Sequence, residues 1–385
     1  MLTTLILFVV ILGILVFVHE FGHFYSARKL GVKSDEFGFG FPPRVFGWKK
    51  INGKRKFFWG NGDVESEDTI YSLNWIPIGG FVKIKGEDGD NKDAKDSFGN
   101  QKIWKRVIIL SAGVTMNIVL CMVLLMFAFG IGAPQIIDNV GPDVKVTEAK
   151  IQIISILPET PAAEAGLVMG DVIIGVNDKS FSEVEAVISY LGDYEGKPVQ
   201  VEISRLGELQ TLEVTPVILE QTGKPGMGVG LAKTGIVSYP WYQSIWLGIK
   251  GTFVMLLQIL VAFYTMIKNA IIQQPIGVDV AGPVGIAVLT GQVARMGFVY
   301  LLQFTAMLSL NLAIINFLPL PALDGGRVLF LIIEKIRGKP VNEKVEQVVH
   351  TVGFMLLMVL IVVVTGKDIW NYKDSIIGLW QQIVS

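Results

Sequence analysis

The chain has 385 residues, 51% of them hydrophobic and only 17% charged, with a formal net charge of −1. It is too apolar for an ordinary soluble globule and points to a membrane class. Near-neutral charge without a concentrated basic face excludes nucleic acid as a partner, and the single cysteine, Cys121, rules out an intrachain disulfide and reads as a small apolar residue in a buried helix.

From the N-terminus, residues 2–18 carry no charge. A secretory leader would want a basic n-region and a small-residue cleavage site. No Lys or Arg precedes Arg28, and the run flows straight into His19 and Glu20. The expectation is a retained first span within residues 1–30. Further runs long enough to cross a bilayer occur at 107–131, 298–323 and 347–366, since a span needs roughly 20 apolar residues. Segment 234–267 is a fifth candidate, interrupted only by Lys250.

Sixteen Lys or Arg lie between Arg28 and Arg106, and Arg327, Lys335, Arg337, Lys339 and Lys344 cluster before the last run. Residues 138–235 carry 7 basic and 15 acidic residues instead. The positive-inside rule assigns the first two regions to the cytoplasm and the third to the outside.

Residues 31–103 are rich in Gly and strand-like. In Gly79-Gly80-Phe81-Val82-Lys83-Ile84-Lys85, alternation predicts a strand with one apolar face. Residues 138–220 have their own pattern. Ile151 to Leu157 reads as a strand, Glu183 to Tyr190 as a helix, and 198–205 with 209–215 as a hairpin turning at Leu206-Gly207-Glu208. Pro161-Ala162-Ala163-Glu164-Ala165-Gly166-Leu167 followed by Gly170-Asp171 resembles a PDZ domain of the bacterial protease type. That resemblance implies a peptide or protein tail as partner, held in a groove between the 151–157 strand and the 183–191 helix. A small structural domain that binds nothing is the plainer alternative. Residues 221–297 read as a linker and an amphipathic helix, 327–346 as a cytoplasmic loop, and 367–385, with Trp370, Tyr372 and Trp380, as an interfacial tail.

The chemistry sits at His19-Glu20-Phe21-Gly22-His23. Two histidines four apart share one helix face, within reach of a single ion. Zinc accepts nitrogen ligands and lowers the pKa of water towards neutrality. Glu20 stands where it can take that water's proton and pass it to a leaving amine. Two His and a Glu are costly at the end of an apolar span, and such residues usually mark function. An open zinc site wants a third protein ligand. The remaining histidine, His350, is one option, though a lone helical His is more often structural. Asp324 is the better one. It ends Asn316-Phe317-Leu318-Pro319-Leu320-Pro321-Ala322-Leu323-Asp324-Gly325-Gly326, where two prolines break a helix at membrane depth. A plain helix cap is the alternative there.

H-E-x-x-H ending a first span, with N-x-x-P-x-P-x-L-D-G ending a later one, resembles the site-2 protease family of intramembrane zinc metalloproteases. An extracytoplasmic PDZ domain between spans two and three makes the chain similar to the bacterial RseP-like members. The resemblance covers nearly the whole chain. It implies one Zn2+ per chain held by His19, His23 and Asp324, with Glu20 as catalytic base and Asn316 as a contact to the substrate backbone. It implies that Gly79, Gly80, Phe81, Val82 and Lys83 belong to a membrane-associated β-loop whose edge pairs with an unwound substrate. Gly282-Pro283-Val284-Gly285-Ile286 resembles a segment before the third core span. Two departures are the single PDZ domain and Val114, where many relatives have Pro.

Both motifs close the C-terminal ends of their spans, so spans one and three must cross in the same direction. Segment 234–267 then cannot be a full span. Gln243, Lys250, Gln258, Thr265, Lys268 and Asn269 fall within roughly a 100° arc of a helix. The expectation is therefore a helix along the membrane surface or against the bundle. The fold expected is a polytopic α-helical membrane protein. It has four core spans (in 1–30, 104–137, 298–326 and 347–366), a β-loop region at 31–103 and one extracytoplasmic α+β PDZ domain. The function expected is cleavage of single-span membrane proteins in the bacterial inner membrane, such as anti-sigma factors or remnant signal peptides, with the site towards the cytoplasm. The competing readings are a non-catalytic PDZ-bearing scaffold, against which an intact Glu20 argues, and a metal transporter, whose repeated halves are not seen.

Overall fold

A computed structural model describes residues 2–51, 53–60, 68–87, 93–137, 144–158, 160–205, 207–219, 223, 225–272, 274 and 281–371. Leu206 and most of the expected interfacial tail, Tyr372 and Trp380 included, lie outside the described residues. The chain forms two compact units, Met1–Leu125 with Gly248–Ser385, and Met126–Leu247.

Helix α1 (Leu2–Lys29) is a proline-free run of Leu, Ile, Val and Phe. Its 28 residues make about 42 Å at 1.5 Å each, more than the ~30 Å hydrocarbon layer. Arg28 and Lys29 in the last turn suit the negative end of the helix dipole. Strands β1 (Ser34–Ile51), β2 (Lys54–Trp59) and β3 (Ile70–Ile84) follow. β1 and β3 are long enough to contribute two arms each. The register Trp48↔Tyr71, Phe37↔Tyr71 and Phe37↔Val82 gives the order β2, late β1, early β3, early β1, late β3. Late β3, residues 79–84, is thus outermost, and no other strand pairs with it among the described residues. Gly79 has φ 78°, and a Cβ there would fall 2.5 Å from the Val16 side chain of α1. Only glycine lets the outer strand turn while touching the helix one turn before His19.

Helix α2 (Ile103–Ile131) leads into the second unit, which runs β4 (Ala133–Ile136), β5 (Lys145–Ile156), α3 (Pro161–Glu164), β6 (Val172–Val176), β7 (Lys179–Ser180), α4 (Val184–Gly192), β8 (Val199–Arg205), β9 (Glu208–Val214), β10 (Val217–Ile218), β11 (Pro225–Gly226) and β12 (Val229–Ser238). This is a PDZ-like α+β domain. Its core gathers Ile151, Ile153, Leu167, Val176, Val187, Leu191, Val201, Ile203 and Met227. The Gly170-Asp171 signature has a structural purpose: Asp171 is buried, accepts the Val168 N–H, and takes two 2.8 Å bonds from the Arg205 guanidinium.

Two expectations change here. The sheet order β4-β12-β5-β6-β8-β9 puts β12 inside the domain, so the domain continues past 220 to Ser238 and the start of the expected linker is a strand. β5 has β12 along one edge and pairs with β6 at 151–152 on the other. α4 packs on β11 and β12 instead. β12 pairs with β4 only at 234–237, and Lys233 O accepts the Ile137 N–H. Its edge at 229–232 is unpaired among the described residues, and any groove beside α4 lies there.

The chain closes with α5 (Trp241–Ile271), α6 (Pro283–Met296), α7 (Phe298–Phe317), α8 (Asp324–Arg337) and α9 (Glu343–Asn371). Among the described residues, five helices are long and apolar enough to cross a membrane: Thr3–Lys29, Ile103–Ile131, Trp241–Ile271, Phe298–Phe317 and Lys344–Asn371. That is one more than the four core spans expected. Leu356, Val359 and Val362 of α9 are 66%, 62% and 66% exposed, a stripe that suits lipid better than water. The protein is a multi-pass membrane protein. α7 stops at Phe317, earlier than the apolar run suggests, because Pro319 disfavours a helical Leu318, which is extended at φ −61°, ψ 142°. The expected loop at 327–346 is helical through Arg337.

Candidate metal centre

α1 places His19 and His23 on one face, both 6% exposed, and the break after α7 delivers Asp324 to them. His19 Nε2 lies 3.0 Å from Asp324 Oδ2, His23 Nε2 lies 3.3 Å from the same oxygen, and the two Nε2 atoms are 3.1 Å apart. This near-equilateral triangle fits zinc. Tetrahedral ligands roughly 2.0–2.1 Å from the ion stand about 3.3 Å from one another. Asp324 is the first residue of α8, whose N-cap is Leu323, so it is not the plain cap considered from sequence.

The tautomers agree with a metal. His23 Nδ1–H donates to Ile109 O at 2.8 Å, which leaves the Nε2 lone pair facing the cluster. Asn117 lies 3.2 Å from His19 Nδ1. With its amide oxygen turned to the ring, Asn117 accepts the Nδ1–H and frees the second Nε2. Between these two supports sits Gly113. A Cβ there would fall 2.4 Å from His23 Nε2 and 2.7 Å from His19 Nε2. Ile109, Gly113 and Asn117 are four apart and line one face of α2. Sequence reasoning missed all three, although the spacing of Gly113 and Asn117 was visible.

A cavity of about 210 Å³ opens on the cluster, lined by Val16, His19, Glu20, Leu312, Asn316, Ala322, Leu323 and Asp324. Asn316 thus shares a chamber with Glu20 and two of the three donors. Of the outer-strand residues, Val82 is the one whose backbone amide lies towards the Glu20 carboxylate. Gly80 packs on Phe17, and Phe81 and Lys83 continue the strand. A second cavity, about 320 Å³, lies over the aromatic face of the sheet between Phe17, Phe37, Phe39, Phe46, Trp48 and Tyr71, away from the donors. His350 is not part of the cluster, since its Nδ1 accepts the Ala322 N–H at 2.9 Å.

Converging imidazole and carboxylate donors, an adjacent glutamate and a bundle of apolar helices define a zinc-dependent intramembrane metalloprotease. The chain matches peptidase family M50 over residues 7–360 and belongs to that family. It is similar to the zinc metalloprotease RasP of Oceanobacillus iheyensis, 30% identical over 95% of this chain and 99% of the relative. It is also similar to the regulator of sigma-W protease RasP of Bacillus subtilis, 28% identical over 95% and 98%. The zinc metalloprotease RasP of Geobacillus kaustophilus is 30% identical over 96% and 99%. Zinc is the cofactor of this hydrolase.

Proposed function

We propose that His19, His23 and Asp324 hold one zinc, that Glu20 is the general base, and that the enzyme cuts the membrane segments of single-span proteins near their cytoplasmic end. Bound zinc would polarise the scissile carbonyl and acidify water. Glu20 takes the proton of the attacking water and returns it to the leaving amine. Asn316, across the chamber, holds the substrate backbone. By analogy with the sigma-W regulator, the substrates include anti-sigma factors; remnant signal peptides have the same chemistry.

The observation that carries this reading is the unpaired outer strand 79–84, lying on α1 at Val16 and Phe17 just before His19 and Glu20. A peptide bond in a helix is shielded. An unwound segment added to that edge would be held extended beside the base. In a co-expression assay with a tagged single-span substrate, the cut is expected in the cytoplasmic half of the hydrophobic segment. Val82→Pro, which deletes the N–H on an outer edge that tolerates proline, is expected to slow it at least about tenfold. A cut in the outer half, or an unchanged rate, would contradict the proposal.

The orientation follows from α1, α2, α7 and α9 as the four crossings. α1 and α7 bring their C-terminal ends to one cluster and so run the same way. Gly291 of α6 touches Thr4, and Gly285 N–H donates to Asp368 at 2.7 Å. Thr4 is 15 residues from His19, and Asp368 is 18 from His350, about 22 and 27 Å along their helices. α6 therefore sits at the end of the bundle away from the metal. The nine residue steps from Ile272 to Ala281 reach at most about 32 Å. A complete crossing by α5 would then need an extended return through hydrocarbon with unpaired amides. α5 touches α2, where Thr252 meets Cys121. Reporters fused after residues 200 and 270 are both expected outside, as is the PDZ-like domain. A cytoplasmic signal at 270 with an outside signal at 200 would overturn the four-crossing arrangement.

A further inference from the structure

The third histidine has no place in the catalytic scheme, yet it is built against the loop that carries Asp324. We infer that His350 is a positioning residue for Asp324, acting through the backbone of Ala322. This rests on Asp324 being a zinc ligand.

Ala322 has φ 73°, a left-handed conformation that a residue with a Cβ adopts only when its surroundings impose it. Two neighbouring prolines, Pro319 and Pro321, have no N–H to tie the loop down. The loop's other amides bond locally, Leu320 N–H to Leu318 O at 2.7 Å and Leu323 N–H to Leu320 O at 3.3 Å. The Ala322 N–H instead leaves the loop and donates to His350 Nδ1 at 2.9 Å. An amide can only donate, so Nδ1 accepts and the ring proton is on Nε2.

The ring is fixed in turn. Phe330 of α8 packs on it at 5.5 Å between centroids. One turn along α9, Gly353 allows the helix to meet Pro321, where a Cβ would stand 2.3 Å from the proline Cβ. α9 therefore presses on residue 321 and holds residue 322 by one directed hydrogen bond. Asp324 follows two residues later with its Oδ2 on both histidines. Without that bond, Ala322 can relax to a right-handed conformation and turn the carboxylate away.

The test is zinc release from the detergent-purified full chain into excess chelator, with the kcat and KM of cleavage beside it. Partners of a ligand typically change metal affinity by 10–100-fold. His350→Leu is expected to release zinc at least about tenfold faster and to lower kcat with little change in KM. His350→Asn puts an amide oxygen where Nδ1 was and is expected to stay within about twofold of wild type. His350→Gln puts it at the Nε2 position and should behave like Leu. In an Asp324→Ala background, His350→Leu should add nothing. Wild-type release in the Leu variant, failure of Asn to rescue, or equal rescue by Gln would overturn the inference. Should the Leu variant not fold, the Asn and Gln pair decides. If Asp324→Ala itself releases zinc no faster than wild type, the ligand assignment fails, not the role of His350.

Discussion

Gly113→Ala is expected to strip the enzyme of zinc and reduce cleavage below detection. The added methyl would stand 2.4 Å from His23 Nε2 and 2.7 Å from His19 Nε2, closer than nonbonded carbon and nitrogen approach. The atoms it meets are the proposed zinc donors themselves, so relief would come by separating α1 from α2 or by swinging a histidine out of the cluster. Either movement breaks the Ile109 and Asn117 bonds that set the tautomers. On an apolar helix, Gly→Ala favours the helix by up to about 1 kcal/mol. The variant should therefore remain folded while losing the ion. Metal content per chain, measured with a thermal unfolding curve, separates the two effects. A folded, zinc-replete Gly113→Ala protein would remove α2 from the metal centre.

Much of the site was legible because its logic is local. Residues four apart on a helix share a face whatever the fold around them, so His19 and His23 announced their convergence. Pro319 and Pro321 announced a helix break beside Asp324. Other features depend on tertiary placement. Gly113 and Asn117 on an apolar helix look like packing residues until α1 is laid against them. β12 follows the apparent end of the PDZ pattern and inserts between β4 and β5, leaving its own edge unpaired at 229–232 among the described residues. Nothing in the local pattern of residues 229–238 says which strands they will separate. The apolar run at 298–323 overstated the third helix for a local reason: a proline at 319 ends it by Leu318, although the hydropathy continues. The length of α5 was visible, whereas the contacts of Gly285 and Gly291 with Asp368 and Thr4, which place α6, depend on the fold.

Glu20→Gln is expected to abolish cleavage while leaving the metal in place, and it bears on the account most directly. The amide has the shape of the carboxylate but cannot accept the water's proton at neutral pH. General base catalysis contributes typically about 10²–10⁴-fold, and in the proposed mechanism one group serves both proton transfers, so a loss of at least about a thousandfold is expected. Glu20 is not among the three converging donors, so His19, His23 and Asp324 should keep their ion. The decisive measurement takes zinc per chain and the rate of cleavage of a tagged single-span substrate from the same preparations of wild type and Glu20→Gln. One zinc in both proteins, with cleavage only in the wild type, is the predicted result. Cleavage persisting in a zinc-replete Glu20→Gln protein would contradict the assignment of the base and the chemistry built on it.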